Sequence, residues 1–167
     1  SQAVSEDVLK QIVTTASFAP SWKNTQVTRY IAVTDESVKN KIAEDIAPMW
    51  IGNTKIIQGA PVLLVVSMIT GRSGFERDGS FSTSKGTHFQ SLDAGIATEA
   101  LCLAAYEQGL GTVIMGIFDE KKVAEAVSLP EGQEVAALIA IGYPDESTEA
   151  PKSGFLPGGK GADQSGI

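Results

Sequence analysis

Cysteine and histidine are almost absent from this chain. Its 167 residues include one cysteine, Cys102, and one histidine, His88. A single cysteine excludes an internal disulfide framework and a multi-cysteine metal site, and a single histidine has no second histidine with which to share a metal ion. We therefore predict neither a metal site nor a nucleophile activated by His88, and we interpret Cys102 as a core residue of an apolar helix.

Basic residues are also scarce. Thirteen lysines and arginines stand against twenty acidic residues, a net charge of −7, and only three of the basic residues are arginines. No basic stripe with interleaved aromatic side chains is visible, which argues against a nucleic-acid partner and favours a small molecule. No apolar run approaches the ~18 residues of a membrane span, and the opening "SQAVSEDVLK" has neither a basic flank nor an apolar block, so we expect a cytoplasmic protein.

The remaining composition is that of an ordinary globular domain. Apolar residues make up 43% of the chain and charged residues 20%, and the length is sufficient for one buried core. We predict a single domain over residues 1–150. The tail, residues 151–167, contains five glycines and two prolines and offers little that can pack.

The spacing of apolar residues predicts four strands and five helical segments in alternation. Helices are predicted over residues 6–19, 36–47, 49–58, 88–108 and 120–127, and strands over residues 28–35, 62–69, 112–118 and 134–144. Ser5, Asp35 and Asp119 are predicted N-caps. Because helices separate the strands, we predict a mostly parallel or mixed sheet with helices on both faces.

Two segments depart from ordinary amphipathic patterns. Helix 88–108 is apolar nearly all the way round, which is typical of a helix buried on several sides, at the centre of a domain or at a subunit interface. Its acidic residues Asp93 and Glu99 are six positions apart, unlike a catalytic carboxylate pair, and we interpret them as solvated. Residues 70–87, "TGRSGFERDGSFSTSKGT", are rich in glycine and serine without a usable period, and we interpret them as a candidate lid.

A polar loop lies between the first helix and the first strand. Within "APSWKNTQ" it carries Pro20, Ser21, Trp22, Asn24 and Gln26. Their donors, acceptors and flat indole face are able to bind a flat, heteroatom-rich ring. The same residues are also typical of a capped turn, and on composition alone both interpretations stay open.

The glycines of "GLGTVIMG" receive two interpretations. Gly109 and Gly111 follow a helix and precede a strand, the reverse of the order in a dinucleotide-binding loop, so they are interpreted as a helix C-cap. Gly116 lies inside a run of strand formers. A glycine at such a place either weakens the strand or marks the close approach of a ligand or of another backbone.

The ordered combination of these pieces resembles the nitroreductase family of flavin enzymes. "APSWKNTQ" follows an amphipathic helix, "IIQGAPVLLVV" comes next, and "LDAGIATEALCLAAYEQGLGTVIMGIFDEKKVAEAVSLPEG" and "LIAIGYPDE" complete the order. The most specific parts are the APS-x-x-N-x-Q loop and the GLGT strand with FD after it. The likeness covers roughly residues 4–151.

The resemblance implies a fold, an assembly and a cofactor site. It implies an α+β fold, a three-layer α/β/α sandwich with a mixed sheet of four to five strands, and an intertwined homodimer with FMN at the subunit interface. In the family the polar loop generally comes from the second subunit, and the strand segment passes the flavin ring near N5. The implied cofactor-binding residues are Pro20, Ser21, Trp22, Asn24, Gln26, Lys55, Ile114, Met115, Gly116, Ile117 and Lys152.

The resemblance also implies the chemistry. A nicotinamide donor, NADH or NADPH, passes hydride to flavin N5 and leaves, and a nitroaromatic, quinone or similar acceptor then takes the electrons. Because the cofactor carries the reaction, no catalytic acid, base or nucleophile is expected in the chain.

Two departures from the family pattern concern the FMN phosphate. Family members open with an R-x-S-x-R motif, whereas no arginine precedes Arg29 here, and Lys152 is followed by "SGFLPGG" where the family usually has a further arginine. In the family these basic residues bind the FMN phosphate. Hydrogen bonds to charged groups are worth about 1.5–3 kcal/mol each, so the loss of such residues weakens FMN binding. Either the first residues are not supplied, or the alternative function applies: a non-catalytic binding protein of this fold that has lost tight flavin binding.

Overall fold

The computed structural model describes residues 2–47 and 52–145, so the predicted tail, Lys152 and the start of the third predicted helix lie outside the described residues. The α-helices are α1 (Glu6–Ala16), α2 (Glu36–Lys41), α3 (Asn53–Gly59), α4 (His88–Glu107) and α5 (Glu120–Ala126). The strands are β1 (Thr28–Val33), β2 (Val62–Ile69), β3 (Gly111–Met115) and β4 (Gln133–Gly142). A 3-10 turn (Trp22–Asn24) and a π-helical turn (Ile42–Ile46) complete the set.

Short polar side chains begin three of the helices, as predicted. Ser5, Asp35 and Asp119 each accept a hydrogen bond from the backbone N–H three residues further on, at 3.3, 3.0 and 3.2 Å. Each side chain satisfies a donor that the first helical turn leaves without a partner. The three N-cap predictions are confirmed.

The end of α4 has the glycine cap that the sequence predicts at Gly109. This residue has a φ of 75°, which costs glycine little, and its N–H donates to the Tyr106 carbonyl at 2.9 Å. The Leu110 N–H donates to the Ala105 carbonyl at 3.0 Å, which completes the paired bonding of a Schellman motif. Gly111 does not take part in the cap and instead begins β3.

The four strands form one sheet in the order β1-β2-β4-β3, and every neighbouring pair is antiparallel. The prediction of a mostly parallel or mixed sheet is therefore wrong for the described strands. The segment β2-α4-β3 is a crossover that leaves β2 and β3 pointing the same way. However, β4 lies between them and pairs antiparallel with both, so no parallel ladder forms.

Helices cover both faces of this sheet, and β2 lies at the centre of two cores. Leu63 and Val65 pack with α3, α5 and the π-helical turn, whereas Val62, Leu64 and Val66 pack with α1 and α4. None of the five is more than 1% exposed. Burial of such a side chain contributes about 1.5–3 kcal/mol, so β2 holds the two layers of helices together. The α+β class, the four strands and the three-layer sandwich are confirmed.

The first helix is shorter than the sequence predicts. α1 ends at Ala16, three residues before the predicted end, and the Ser17 hydroxyl donates to the Thr14 carbonyl at 2.7 Å. Pro20 disfavours helical backbone at the residue before it, so the chain leaves the helix early. The residues released in this way lead into the polar loop.

The candidate lid, residues 70–87, is a folded segment. Phe75 and Phe81 form an isolated antiparallel bridge, and their ring centroids are 4.9 Å apart. Ser73 and Gly74 are buried at its base, and a side chain at Gly74 would collide with the Gly86 carbonyl oxygen. The base is thus fixed while residues 76–80 are exposed, and a closing motion stays a prediction.

Candidate functional site

The polar loop has a backbone conformation that few residues other than glycine adopt. Lys23, Asn24 and Gln26 have φ angles of 43°, 55° and 47°. The Ser21 hydroxyl accepts a hydrogen bond from the Gln26 N–H at 2.8 Å, so the capped-turn interpretation describes the local geometry. Left-handed residues of this kind cost about 1–3 kcal/mol each and cluster at binding sites. The strain therefore marks the loop as a candidate site as well as a turn.

Contacts with α4 and with the 70–87 segment fix the loop. The backbone N–H of Trp22 donates to both carboxylate oxygens of Asp93, at 3.0 and 3.1 Å. The Trp22 ring lies on the Phe89 ring of α4, with centroids 4.1 Å apart. The Lys23 ammonium lies 2.8 Å from Glu76 and holds the pKa of that carboxyl below its usual range. The interpretation of Asp93 as solvated is wrong, since the residue is 3% exposed. Its burial depends on the loop, which the helix pattern alone does not reveal.

A cavity of about 660 Å³ lies beside the loop, between α1 and β1. Pro20, Ser21 and Gln26 belong to its wall, together with the ion pair between Lys10 and Glu6, whose nitrogen and oxygen are 2.8 Å apart. The volume is in the range of small-molecule sites. Three of the five predicted loop residues therefore border a space that a ligand is able to enter.

Tyr30 joins this cavity wall to α4. Its hydroxyl donates to the Ala97 carbonyl at 3.1 Å. Burial, with a smaller effect of the neighbouring Cys102, raises the pKa of the Tyr30 hydroxyl to about 12. Tyr30 therefore stays protonated at neutral pH and acts as a hydrogen-bond donor between β1 and α4. Cys102 is half-buried, so its prediction as a core residue is only partly correct.

A second set of predicted residues gathers where β3 ends. Ile114 and Ile117 are 53% and 46% exposed, whereas Met115 is buried. The predicted strand extends too far, because β3 ends at Met115 and Gly116 lies just beyond it. A Cβ added to Gly116 would meet no heavy atom within 4 Å, so the approach to this backbone is open.

α3, the helix that carries Lys55, contacts the same region through Asn53. Asn53, the first residue of α3, is 4% exposed, and its Nδ2 donates to the Ile117 carbonyl at 3.1 Å. Lys55 lies two residues further on and is exposed. Asn53 is a site residue that sequence reasoning missed. The available signal was a polar residue at the start of a helix, just before a lysine already under consideration.

Within one chain, the two sets of predicted residues lie apart from each other. The loop group consists of Pro20, Ser21, Trp22, Asn24 and Gln26, and the strand-end group of Lys55, Ile114, Met115, Gly116 and Ile117. Within the described ranges no hydrogen bond, ion pair or ring contact joins the two groups. Ile114 lines a different cavity, of about 470 Å³, whose wall includes no residue of the loop group.

An apolar surface is left uncovered on α4 and β3, which contact each other. Leu92, Leu103 and Tyr106 lie on one face of α4 and are 55%, 58% and 78% exposed. Ile114 of β3 lies on the side of the sheet that faces α4 and is 53% exposed, whereas Val113 is 43% exposed on the opposite side. The prediction that α4 is buried on several sides is therefore wrong for a single chain. A cluster of large apolar residues on a surface is typical of an interface, the other predicted setting of this helix.

Two classes of site find no support in residues 2–47 and 52–145. No group of three or more His, Cys, Asp or Glu side chains is arranged there to hold a metal ion. In the same part of the chain, no helix combines the length and the apolar character that crossing a membrane requires.

Comparisons with known proteins give consistent matches. The family model described as Nitroreductase family matches residues 1–143. The putative NAD(P)H nitroreductase YfhC of Bacillus subtilis (strain 168) is 28% identical over 165 residues, which cover 90% of this chain and 80% of that protein. An FMN reductase (NAD(P)H) of the same organism is 29% identical over 161 residues, or 90% of this chain and 63% of that one. A crystal structure of a nitroreductase family protein from Clostridium novyi NT matches with a TM-score of 0.73 at 29% identity, covering 89% of this chain and 80% of that one.

Proposed function

Because the chain belongs to the nitroreductase family of oxidoreductases, we propose that it is an FMN-dependent enzyme that takes hydride from NADH or NADPH and reduces a nitroaromatic, a quinone or a similar acceptor. The observation that carries this proposal is the strained backbone of the loop group. Lys23, Asn24 and Gln26 adopt left-handed conformations within the motif that the family resemblance singles out. Strain of this kind persists where a function requires the geometry.

The residues present fit a flat, heteroatom-rich ring. The Trp22 indole N–H is buried and has no hydrogen-bond partner among the described residues, and Asn24 and Gln26 supply amide donors and acceptors. In the strand-end group, the space above Gly116 is open and Ile114 is half-exposed, which suits an apolar ring face. The polar loop and the apolar strand end together match a ring system with a polar edge and apolar faces.

The complete site is formed by two copies of the chain. The loop group and the strand-end group border different cavities in one chain, and the exposed apolar surface of α4 and β3 adjoins the strand-end group through Ile114. A homodimer that covers this surface would bring the loop group of one copy to the strand-end group of its partner. FMN would then lie at the subunit interface.

The chain's contribution to the reaction is binding and orientation. The chemistry supplied by bound FMN is hydride acceptance from the nicotinamide and reduction of the acceptor. Asn24 and Gln26 would hold the polar edge of the ring, while Ile114 and Ile117 would exclude water from its face. No side chain is assigned a proton transfer, since Tyr30 stays protonated at neutral pH and its hydroxyl already donates to α4.

A flavin spectrum tests the proposal. Purified protein supplied with FMN should retain it through gel filtration, absorb in the visible flavin bands and lose that absorbance when NADH or NADPH is added without oxygen. Asn24→Ala should weaken FMN binding by about tenfold, the scale of one or two hydrogen bonds, while the protein stays dimeric. Asn40→Ala, an exposed asparagine on α2, is the matched control. A wild-type protein that binds no FMN would refute the proposal and favour the non-catalytic alternative.

A further inference from the structure

Asp93 is a hydrogen-bond acceptor shared by two segments that are far apart in sequence. Its two carboxylate oxygens accept a hydrogen bond from the backbone N–H of Trp22 in the polar loop, at 3.0 and 3.1 Å. One of its oxygens also accepts the Ser73 hydroxyl of the 70–87 segment at 2.6 Å. Asp93 is 3% exposed and Ser73 is fully buried. Hydrogen bonds to a buried carboxylate are stronger than hydrogen bonds between neutral groups, so Asp93 holds Trp22 and Ser73 firmly against α4.

Neighbouring contacts tie the same segment to the same helix. Gln90, one turn before Asp93 and 3% exposed, accepts the Gly71 N–H at 2.8 Å. No lysine, arginine or histidine among the described residues forms an ion pair with Asp93. The backbone N–H of Trp22 and the Ser73 hydroxyl therefore provide the stabilisation that a cation would otherwise give to a buried carboxylate.

We propose that Asp93 is a positioning residue for the flavin-binding loop and that, through Ser73, it makes the loop geometry depend on the 70–87 segment. The proposal rests on the proposed function, because it concerns the loop group that would hold FMN. The bond at Trp22 lies directly before the left-handed residues Lys23 and Asn24. Such a backbone is maintained only when surrounding contacts fix it, and Asp93 supplies the hydrogen bonds that join the loop to the long helix α4, beside the contact of the Trp22 ring with Phe89.

A consequence of this geometry is that Ser73, which lies outside both groups of cofactor-binding residues, influences FMN binding. Removal of its hydroxyl leaves Asp93 with Trp22 as its partner and breaks one of the two hydrogen bonds, at Ser73 and at Gly71, that tie the base of the segment to α4. Removal of the Asp93 carboxylate breaks both bonds at once. Because Ser73 acts through Asp93, the two substitutions should not be additive.

The variants Ser73→Ala, Asp93→Ala and the double variant test this proposal against a matched control. Ser67→Ala is that control, since Ser67 is also fully buried and donates one hydrogen bond, but to Gln133 at 2.7 Å and not to the loop or to α4. We expect the Kd for FMN to rise about threefold in Ser73→Ala and about tenfold or more in Asp93→Ala, and not to change further in the double variant. In Ser67→Ala the Kd for FMN should stay within about twofold of the wild-type value. The urea midpoint of Ser67→Ala should nevertheless fall by about as much as that of Ser73→Ala.

A second readout needs no flavin. In a Trp50→Phe background, Trp22 is the only tryptophan, because the chain has two. In the flavin-free protein, Asp93→Ala and Ser73→Ala should shift the Trp22 emission to longer wavelength and make it more accessible to acrylamide, and Ser67→Ala should not. The positioning role is refuted if the three variants have the same Trp22 emission and the same FMN Kd as one another. It is also refuted if the effects of Ser73→Ala and Asp93→Ala on the FMN Kd are additive. If the wild type binds no FMN but Trp22 responds as described, only the proposed function fails.

Discussion

Replacement of Leu103 by aspartate should separate the two copies of the proposed homodimer and release the FMN that it would hold. Leu103 is 58% exposed on the same face of α4 as Leu92 and Tyr106, one turn after the exposed Glu99. An exposed position of this kind contributes little to the fold of one chain. In a homodimer that covers the face, however, Leu103→Asp places a carboxylate where an apolar side chain is buried.

The expected size of the effect follows from the exposed fraction. Full burial of a leucine side chain is worth about 1.5–3 kcal/mol, so covering 58% of Leu103 gives roughly 1–1.7 kcal/mol per copy and roughly 2–3.5 kcal/mol per symmetric dimer. Burial of the new carboxylate without a partner adds to this loss. The lost burial alone should therefore raise the dimer dissociation constant by about 25-fold to 300-fold, since each 1.4 kcal/mol corresponds to about a factor of ten, and the buried carboxylate should raise it further.

Sedimentation velocity over a range of protein concentrations measures this change directly. Wild-type protein should sediment as a dimer, and Leu103→Asp as a monomer that retains its far-ultraviolet circular dichroism and has lost bound FMN. Asn40→Asp is the charge control, because it adds the same charge at an exposed position of α2. A Leu103→Asp protein that stays dimeric and yellow would refute both the interface on α4 and the assignment of the two residue groups to different copies.

Three further outcomes are expected. Gly116→Val should raise the FMN Kd about tenfold or more and leave the melting temperature nearly unchanged, since a Cβ added there meets no heavy atom within 4 Å and the side chain would occupy the space assigned to the ring; an unchanged Kd would contradict that assignment. Asn53→Ala should lower the free energy of unfolding by about 1–3 kcal/mol in urea titrations, because it leaves the Ile117 carbonyl without its donor; an unaltered midpoint would show that another donor replaces it. Burial and Cys102 raise the pKa of Tyr30 from 10.0 in the unfolded chain to about 12, so its contribution to stability is complete below pH 10 and is lost as pH rises through 12. Tyr30→Phe should therefore flatten the fall in stability between pH 10 and 12, and an equally steep fall would assign it to other groups.

Local chemistry was sufficient to predict the helix starts and the centre of the fold. Ser5, Asp35 and Asp119 act through neighbours only three residues away, so a short stretch of sequence contains all the information they need. The continuous apolar run of β2 predicts burial on both faces, and both faces are buried. The family resemblance, which depends on the order of several such pieces, is confirmed by the match over residues 1–143.

The features that the sequence did not predict depend on contacts between distant segments. The position of β4 between β2 and β3 follows from sheet pairing, and no spacing within the helices and strands encodes it. The burial of Asp93 depends on Trp22 and Ser73, which are 71 and 20 residues away along the chain. Nor does composition reveal the left-handed conformation of Lys23, because lysine rarely adopts it without outside support.

The sheet order also determines when this protein is able to fold during its synthesis. β4 is the last of the described strands to be made, yet it lies inside the sheet and is the partner through which β3 joins. A ribosome that has released only the first 130 residues therefore holds a chain in which β3 has no partner and one side of β2 is unpaired. Late closure of such distant pairs is slow, so the apolar strands of the emerging chain stay open to aggregation until β4 is complete.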